Sequence, residues 1–558
     1  MPVITLYKSR LEALIPGFSF KEICEVLPYA GLDIEELTEE YVKLEYTPNR
    51  PDLSTDYGVA RALKGILGIE TGLPKRETIK GKIEFIVDES VKEVRPFVAG
   101  FVVRGLSLDD ETIRQIISMQ EDLHEGIGRR RRKLAIGLHD ISPLTPPIIY
   151  TTVKSDFKFV PLNEVREMSV KEILETLPTG IKYRHIVDGY GRYPILIDSK
   201  GVVLSLPPII NGNATRVTER TRDMLIDLTG TDEKVLEDAA AILAEALADA
   251  GGKIETITVV YKNRRKAFPP LDPIVKELDP NLARELLGVN LTDKEIEDAL
   301  RRCRFNVYRE DGKLKVEIPR YRIDILHEVD LVEEVGYGYG YHRLQPLFDF
   351  PYSEGRYLNS SVFYEKVRDV AIGLGFTEVM NFILLSKEVL YTKLGRDPRE
   401  GIRVESTKSI EHEYLRDILL PGLLLTISYN VHEPQPHKFF EIGEVFARNE
   451  KSECGIVEKE RFAAVSSHPT ANYTEAKSNL EALLRSFIED EPVYRRLEEP
   501  YIFEGRGALV MVNGRVIAKL GEIHPRTLSA FNIRNPTSFF ELDLQYLMEI
   551  WEKHRKRI

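Results

Sequence analysis

Cysteine is scarce in this sequence, and long apolar runs are missing from it. Only three cysteines occur among 558 residues, and Cys24, Cys303 and Cys454 each lack a second cysteine nearby. This spacing excludes a disulfide framework and a zinc ribbon, so we expect three reduced thiols that fill cores. No stretch is apolar for the length that a bilayer crossing needs, and the first residues lack a basic head followed by an apolar run. These absences predict a cytoplasmic protein.

Motifs for nucleotide binding and covalent catalysis are also missing. The sequence has no Walker phosphate loop, and the glycines of residues 336–341 follow a predicted helix instead of joining a strand to a helix. It has no Gly-x-Ser-x-Gly elbow, no His-Glu-x-x-His helix and no paired Cys and His ligands. A hydrolase with this sequence would therefore have to activate water by positioning it.

The charge balance limits nucleic-acid binding to local patches. Lys and Arg number 77 against 89 Asp and Glu, which gives a net charge of -12 at pH 7 and argues against general coating of nucleic acid. The basic runs 129–133 and 262–266 are the candidate RNA contacts. Exposed charged loops are the alternative for both runs.

The length and the changing pattern along the chain predict several domains. With 43% apolar residues, the chain can form about three to five domains, each with its own core. The fold class we predict is multidomain α+β. Its parts are an N-terminal α/β unit, a mixed α/β domain, a helix-plus-hairpin domain and a C-terminal domain, at residues 1–80, 82–261, 271–345 and 351–558. The basic, proline-containing stretch 262–273 has the composition of a linker.

The third of these segments has the sharpest local signals. Thr292 and Glu295 form a capping box that predicts the start of a helix. Asp311-Gly312 lies between two strand-like runs and predicts a hairpin. In the second run, apolar residues alternate as in a half-buried strand, at Leu314, Val316 and Ile318. Helices followed by a hairpin indicate a winged-helix-like module.

Four carboxylates lie close together after this hairpin. Asp330, Glu333 and Glu334 stand at i, i+3 and i+4, so they share one face of a helix, and Asp324 comes just before it. Crowded carboxylates need a counter-charge, and Mg2+ is a natural one because hard divalent ions prefer oxygen ligands. The alternative is a solvated acidic face compensated by the neighbouring arginines, Arg320, Arg322 and Arg343.

The stretch SLPPIINGNATRVT, residues 205–218, places prolines, amides and hydroxyls directly after a β-rich run, and DLTGTD follows at 227–232. Turn chemistry explains much of this composition. For each polar residue here, a loop cap and a ligand contact are both open.

The ordered set of motifs resembles the β subunit of phenylalanyl-tRNA synthetase, of the compact archaeal and eukaryotic type. The matching stretches are NRPD (49–52), GVAR (58–61), AIGLHD (135–140), SLPPIING (205–212), PRYRIDILHEVDLVEEVGYGYGY (319–341), HEYLRDILLPGLLLTISYN (412–430) and FFEIGEVF (439–446). The resemblance extends from residue 1 to about residue 544.

The resemblance implies a β subunit that supports an α subunit in an (αβ)2 assembly. The α subunit then activates phenylalanine with ATP and charges the tRNA. Residues 351–558 are expected to form a class II synthetase-like antiparallel core without catalytic motifs, since GEIHPRTLSAF (521–531) lacks a glycine-rich, arginine-ended segment. We expect no aminoacylation residue in this chain. Apolar contacts to α are expected from four leucines, with an internal core as their alternative: Leu419, Leu420, Leu423 and Leu424.

The resemblance also implies that residues 82–261 form an editing domain, which hydrolyses tyrosine wrongly esterified to the phenylalanine tRNA. An apolar pocket rejects an added hydroxyl by only about a hundredfold, so a second site that binds the hydroxyl improves the discrimination. Asp227 or Ser205 would bind the phenol, and a positioned water would attack the ester. The pocket residues implied are Leu196, Ser205, Asn211, Asp227 and Thr229. For the acidic cluster, the resemblance implies a Mg2+ site shared with α, with ligands Asp324, Asp330, Glu333 and Glu334.

Two other functions compete with this interpretation. The chain could be a scaffold that binds α and tRNA without editing. It could also be an independent Mg2+-dependent hydrolase built on the cluster at Asp324, whose activity would need no tRNA.

Overall fold

The computed structural model describes residues 2–76, 78–310, 312–346 and 354–555. The chain divides into two compact units, residues 1–348 and 349–558. The fold is multidomain α+β, as predicted. Among the described residues, no helix combines the length and the apolar character needed to cross a membrane.

The first segment of unit one is a three-stranded antiparallel sheet packed against helices. The strands are β1 (Val3–Tyr7), β2 (Asp33–Leu37) and β3 (Tyr41–Glu45), in the order β1-β3-β2. The helices are α1 (Lys8–Leu14), α2 (Phe20–Val26) and α3 (Asp56–Ile66). Helix α3 begins after Thr55, whose side chain accepts a hydrogen bond from the Gly58 N–H, and it buries Val59 and Leu63 as its spacing predicts.

The second segment is built on one large sheet. Its strands run in the order β13-β12-β11-β8-β5-β15-β6-β14-β7, and β4 and β16 also pair with β15. The strands are β4 (Thr78–Ile79), β5 (Glu84–Val87), β6 (Phe97–Arg104), β7 (Leu134–Asp140), β8 (Ile148–Val153), β11 (Tyr193–Asp198), β12 (Val203–Leu206), β13 (Ile210–Asn211), β14 (Met224–Gly230), β15 (Lys253–Tyr261) and β16 (Arg264–Phe268). A separate pair is formed by β9 (Lys158–Phe159) and β10 (Met168–Ser169), and the helices are α4 (Asp110–Glu125), α5 (Val170–Thr176), α6 (Pro178–Tyr183) and α7 (Glu233–Asp249).

The structure corrects the prediction of a linker at 262–273. Residues 264–268 form β16, which pairs antiparallel with β15 in the large sheet. Its basic side chains bind carboxylates of the same segment, because Arg264 pairs with Glu233 and Lys266 with Glu237. The strand therefore extends the sheet beyond the predicted boundary at residue 261.

The third segment packs three helices against a three-stranded sheet in the order β17-β19-β18. The strands are β17 (Ile274–Leu278), β18 (Asn306–Glu310) and β19 (Lys313–Ile318), and the helices are α8 (Pro280–Leu287), α9 (Asp293–Arg302) and α10 (Glu328–Tyr339). The capping box of Thr292 and Glu295 is confirmed, as is the burial of Leu314, Val316 and Ile318. Of the predicted hairpin turn, Asp311 lies outside the described residues.

Unit two contains a seven-stranded sheet in the order β20-β24-β25-β29-β28-β27-β26, antiparallel except for the pair of β20 and β24. Its strands are β20 (Thr377–Glu378), β24 (His437–Arg448), β25 (Ile456–Ser467), β26 (Val493–Arg496), β27 (Ile502–Val512), β28 (Arg515–Ile523) and β29 (Thr537–Asp543), and a small sheet holds β21 (Leu384–Leu385), β22 (Ile402–Arg403) and β23 (Tyr414–Leu415). The helices are α11 (Asn359–Gly373), α12 (Lys387–Leu390), α13 (Leu420–Tyr429), α14 (Tyr473–Arg485), α15 (Pro525–Ala530) and α16 (Leu544–Arg555).

The two faces of this sheet bury separate cores. Phe462 and Phe540 pack with α11, α14 and α16 on one face, while Val465 and Phe539 pack with α13 on the other. The four leucines proposed as contacts to α belong to the second core and are fully buried within unit two. The prediction of a partner surface there was wrong, and the internal-core alternative is correct. Cys454, expected in a core, is exposed.

Candidate functional site

The second segment contains a cavity of about 440 Å³. Strand β7 and strand β13 are at opposite ends of the sheet, yet the Asn211 side-chain amide on β13 lies 3.4 Å from the Leu138 carbonyl on β7. The sheet therefore curls until its two ends face each other, and α4 covers part of the space between them. The cavity occupies this space.

Three of the five predicted pocket residues line the cavity, namely Ser205, Asn211 and Asp227. Ser205 pairs with Asn211 across β12 and β13, which brings both to one end of the sheet. Leu196 and Thr229 are fully buried, and they lie beside the lining residues instead of in the wall. Leu196 is the strand partner of Ser205, and Thr229 follows Asp227 by two positions on β14.

Asp227 is the centre of a buried hydrogen-bond network drawn from three parts of the segment. Its Oδ2 accepts from the Ser205 hydroxyl at 3.2 Å and lies 2.6 Å from Nε2 of His139. The other ring nitrogen of His139, Nδ1, lies 2.8 Å from the Thr215 hydroxyl. Because Ser205 contacts Asp227 and not the imidazole, these residues do not have the geometry of a nucleophilic serine activated by histidine.

A charged pair, Glu121 and Arg131, also lines the cavity. Arg131 forms an ion pair with Glu121 at 2.8 Å, stacks on Tyr183 and donates to the carbonyls of Pro208 and Ile209. Hydrogen bonding from His124 and the charge of Arg131 lower the pKa of Glu121 to about 2. Glu121 is therefore ionised at neutral pH.

Arg95 is a fully buried cation behind the cavity. It donates to the Thr229 hydroxyl at 3.0 Å, to the Thr229 carbonyl at 2.7 Å and to the Arg132 carbonyl at 3.2 Å. Burial lowers its pKa to about 10, and the negative charge of Asp227 opposes that shift. Thr229, predicted as a ligand contact, thus has a direct structural partner.

The acidic cluster has a different arrangement from a four-carboxylate metal site. Arg322 binds Asp324 with contacts of 2.9 and 2.7 Å and binds Glu334 with contacts of 3.0 and 2.5 Å. Asp330 caps α10 by accepting from two backbone N–H groups. Glu333 remains near like charges, and burial followed by repulsion from Glu334 raises its pKa. Within the described ranges, no group of three or more Asp, Glu, His or Cys residues is arranged to hold a metal ion.

Sequence reasoning missed several members of the cavity network, namely Glu121, Arg131, His139 and Thr215. His139 and Thr215 lie in or near quoted motifs, AIGLHD and SLPPIINGNATRVT, and Arg131 lies in the basic run assigned to RNA. Their positions in motifs were visible, but their contacts depend on the curl of the sheet.

Comparisons with known protein families cover most of the chain. The model of the phenylalanyl tRNA synthetase beta chain CLM domain matches residues 347–544. The tRNA synthetase B5 domain matches residues 276–341, and the B3/4 domain matches residues 125–245.

Individual relatives match over nearly the full length. The phenylalanine–tRNA ligase beta subunit of Archaeoglobus fulgidus is 43% identical over 555 residues, which are 99% of this chain and 100% of that protein. The corresponding subunit of Pyrococcus abyssi is 36% identical and covers 98% of this chain and 100% of its own length. The crystal structure of an N-terminal fragment of the phenylalanyl-tRNA synthetase beta subunit from Pyrococcus horikoshii superposes with a TM-score of 0.59 at 40% identity, over 61% of this chain and 99% of the fragment. The resemblance inferred from the sequence motifs is confirmed, and the chain belongs to the family of phenylalanine–tRNA ligase β subunits.

Proposed function

We propose that this chain supports the ATP-dependent attachment of phenylalanine to its tRNA by an α subunit and hydrolyses tyrosine wrongly attached to that tRNA, in the cytoplasm. The observation that carries the editing activity is the buried carboxylate of Asp227 in the wall of this cavity. The cavity of about 440 Å³ is within the range of a pocket for a small ligand.

The polar groups of the cavity suit the two ends of a tyrosyl ester. Asp227 accepts the phenol hydroxyl at one end, where Ser205 supports the carboxylate. The ionised Glu121 attracts the ammonium group at the other end, where Arg131 holds it. A phenylalanyl ester would leave Oδ1 of Asp227 without a donor while Oδ2 keeps Ser205 and His139, and a buried polar atom that lacks its partner can reject the analogue by several orders of magnitude.

Water is the nucleophile in this proposal. The Ser205 hydroxyl donates a hydrogen bond to the Asp227 carboxylate, and among the described residues it has no bond to an imidazole or an amine that would activate it. The polar side chains around the ester, among them Asn211, hold the substrate so that an ordered water attacks the carbonyl carbon. The ester C–O bond then breaks, and tyrosine leaves with the oxygen from water while the tRNA recovers its hydroxyl.

A deacylation assay tests the editing activity. The purified chain, with its α partner, is given phenylalanine tRNA carrying Tyr or Phe, and the loss of each ester is followed. We expect rapid loss of Tyr with Phe spared, and a decrease of at least about a hundredfold for Asp227→Asn. Asp110→Asn, which removes an exposed carboxylate paired with Arg114, is the control and should leave the rate unchanged. If the wild-type complex cleaves neither ester, the scaffold alternative is correct. If the chain hydrolyses a tyrosyl ester that carries no tRNA, and Asp324→Asn abolishes this activity, the metal-dependent hydrolase is favoured.

We propose that a class II synthetase-like core in unit two contacts α, in an (αβ)2 assembly, and does not catalyse aminoacylation itself. The seven-stranded, largely antiparallel sheet supports this core type. The leucines of α13 pack on one of its faces, which favours a structural role for that face.

An exposed apolar patch replaces the buried leucines as the candidate contact with α. Met380 and Phe382 flank Asn381, which bonds to Thr426 of α13, while Phe382 contacts His412, two residues after Ile410. Tyr429 ends the same helix. Side chains with large exposed fractions therefore cluster here: Met380 94%, Phe382 74%, Ile410 80% and Tyr429 72%. Contiguous exposed apolar groups are typical of protein interfaces.

Co-purification with tagged α tests this patch. We expect Phe382→Glu to reduce recovery of the complex, because a charge would be buried without a partner. Val516→Glu, at a 41% exposed position on β28, should leave recovery unchanged. Full recovery with Phe382→Glu would contradict the assignment.

The predicted Mg2+ ion does not fit the acidic cluster as it is arranged. Arg322 already neutralises Asp324 and Glu334, so an ion on all four carboxylates would have to displace it. The proposed hydrolysis does not involve this cluster, which belongs to the third segment. Calorimetric titration with MgCl2 tests the site, and saturable binding that is lost in Asp330→Asn would support the four-carboxylate prediction.

A further inference from the structure

His139 is a buried histidine directly behind the candidate phenol acceptor. Its side chain has no exposed surface, and His139 is not among the residues that line the cavity. It therefore cannot touch a substrate in this structure, and its influence must pass through the residues it contacts. Those contacts are Asp227 on one ring nitrogen and Thr215 on the other.

The hydrogen-bond chain has one consistent direction when the imidazole is neutral and the carboxylate is ionised. An ionised carboxylate only accepts, so Nε2 carries the proton and donates to Asp227 Oδ2 at 2.6 Å. Nδ1 is then an acceptor, and the single proton of the Thr215 hydroxyl goes to Nδ1 at 2.8 Å in preference to the more distant Gly212 carbonyl at 3.4 Å. Each proton in the chain from Thr215 through His139 points toward Asp227.

The hydrogen bonds to Asp227 determine which of its two carboxylate oxygens remains for a ligand. Oδ2 accepts from both His139 and Ser205. Within the described part of the chain, Oδ1 has no hydrogen-bond partner, and Asp227 lines the cavity. The carboxylate thus has one oxygen engaged by the protein and one available to a donor in the cavity.

We propose that His139, oriented by Thr215, is a positioning residue that sets the preference of the site for tyrosyl over phenylalanyl esters. It holds the Asp227 carboxylate turned so that Oδ1 meets a phenol hydroxyl. Without it, the carboxylate can rotate in its buried site and gives less discrimination. This inference rests on the editing activity proposed above.

Two substitutions separate the positioning role from simple packing. His139→Gln places an amide donor near the position of Nε2, whereas His139→Leu fills the site without a donor. We expect His139→Leu to decrease hydrolysis of tyrosyl-tRNA by about a hundredfold and to bring the Tyr-to-Phe rate ratio toward one. His139→Gln should restore most of the ratio. Aminoacylation by the α partner in the same complexes should stay unchanged and reports correct folding and assembly.

A second pair of substitutions, at Thr215, tests the same role even if the His139 variants do not fold. Thr215→Val removes the hydroxyl at nearly constant shape, and Thr215→Ser keeps it. The inference predicts that Val lowers the Tyr-to-Phe ratio and that Ser preserves it.

The possible results distinguish this inference from the proposed function. An active wild-type complex whose Tyr-to-Phe ratio is unchanged in both His139→Leu and Thr215→Val would overturn the positioning role alone. A wild-type complex that hydrolyses neither ester would overturn the editing function and this inference together.

Discussion

Gly137 controls the space around Asp227. A Cβ at this position would overlap Asp227 Oδ2 and would lie 2.6 Å from His139 Nε2. Gly137 is the direct strand partner of Asp227 in the pairing of β7 and β14. The absence of a side chain there is therefore what allows the carboxylate and the imidazole to meet.

Replacement of Gly137 by Ala should disable editing while the fold is retained. We expect the methyl group to displace Asp227, to reduce tyrosyl-tRNA hydrolysis by about a hundredfold and to lower stability by about 1–3 kcal/mol through overpacking. Deacylation and thermal unfolding measure the two effects. Gly373→Ala is the control, because a Cβ at that exposed position at the end of α11 would meet nothing within 4 Å. Wild-type deacylation by Gly137→Ala would contradict the proposed role of Asp227.

His124 makes the stability of the second segment depend on pH. Its Nε2 accepts from the Ile136 N–H at 2.8 Å, so the ring is neutral in the folded chain, and Nδ1 faces Glu121. Burial lowers the pKa of His124 below its ordinary value of 6.5, and the hydrogen bond with Glu121 opposes that shift. As the pH falls below about 6.5, the unfolded chain binds a proton that the folded chain does not, so the folded state loses stability.

His124→Gln should reduce this pH dependence. Gln can accept from Ile136 and donate to Glu121 but does not titrate. Between pH 7.5 and pH 5.5, we expect the melting temperature of the wild type to fall more than that of His124→Gln. The corresponding difference in the free energy of unfolding is up to about 1.4 kcal/mol for each unit by which the pKa of His124 is lowered. Equal decreases in the two proteins would show that His124 is not responsible.

At the same scale, the candidate site was only partly predictable from sequence. Ser205, Asn211 and Asp227 were identified through motifs, and all three line the cavity. The contact of His139 with Asp227 joins residues 88 positions apart, and it depends on the register of β7 with β14. No periodicity along the chain encodes that register, so the motif AIGLHD indicated the importance of the stretch but not the partner of its histidine.

The turn between α4 and β7 is the element with the most unusual backbone. Arg129, Arg130 and Arg131 have φ angles of 50°, 55° and 62°, so three consecutive non-glycine residues are left-handed. Each such residue costs about 1–2 kcal/mol. The Lys133 N–H bonds to the Gly128 carbonyl across the turn, and the contacts of Arg131 with Glu121 and Tyr183 also stabilise it. The turn delivers Arg131 to the cavity wall at the expense of this strain.

Arg130→Gly should stabilise the protein, because glycine adopts the left-handed conformation freely. The Arg130 side chain is 83% exposed and has only a 3.6 Å ion pair with Glu125, so little else is lost. We expect a gain of about 0.5–1 kcal/mol in thermal or denaturant unfolding. Arg132→Gly, at an adjacent exposed position outside this left-handed run, should destabilise by a similar amount. A loss of stability in Arg130→Gly would show that the turn needs its side chain.

An element could be predicted from the sequence when the residues that determine it lie close together in the chain. The capping box of α9 and the alternation of β19 are set by residues within a few positions, and both were predicted correctly. Strand β16 was taken for a linker because its basic residues find their partners far away, as with Arg265 and Glu84. The basic residues of β16 led to the prediction of a linker, and their charges are neutralised only after the sheet and α7 have assembled.

At the scale of unit one, buried charges connect the three segments. Arg61 of α3 pairs with Asp52 at 3.4 Å, pairs with Asp249 at the end of α7, and lies over the ring of Tyr321 at 4.1 Å. These partners come from the first, second and third segments. The motifs NRPD and GVAR, which helped to identify the family, therefore meet at a junction between segments.

Removal of Arg61 should loosen this junction. In Arg61→Met, Asp52 and Asp249 lose one of their cations, and breaking a buried ion pair costs about 3–5 kcal/mol. Because Asp52 keeps Arg50 and Asp249 keeps Arg76, we expect a loss of about 2–3 kcal/mol. Amide hydrogen exchange should become faster in α3, at the end of α7 and around Tyr321 together, since all three contact the same guanidinium. Lys64→Met, on the same helix as Arg61, removes a partly exposed ion pair with Glu70 and should change stability by less than about 1 kcal/mol. If exchange increases only in α3, the three segments are held together by their apolar contacts and not by Arg61.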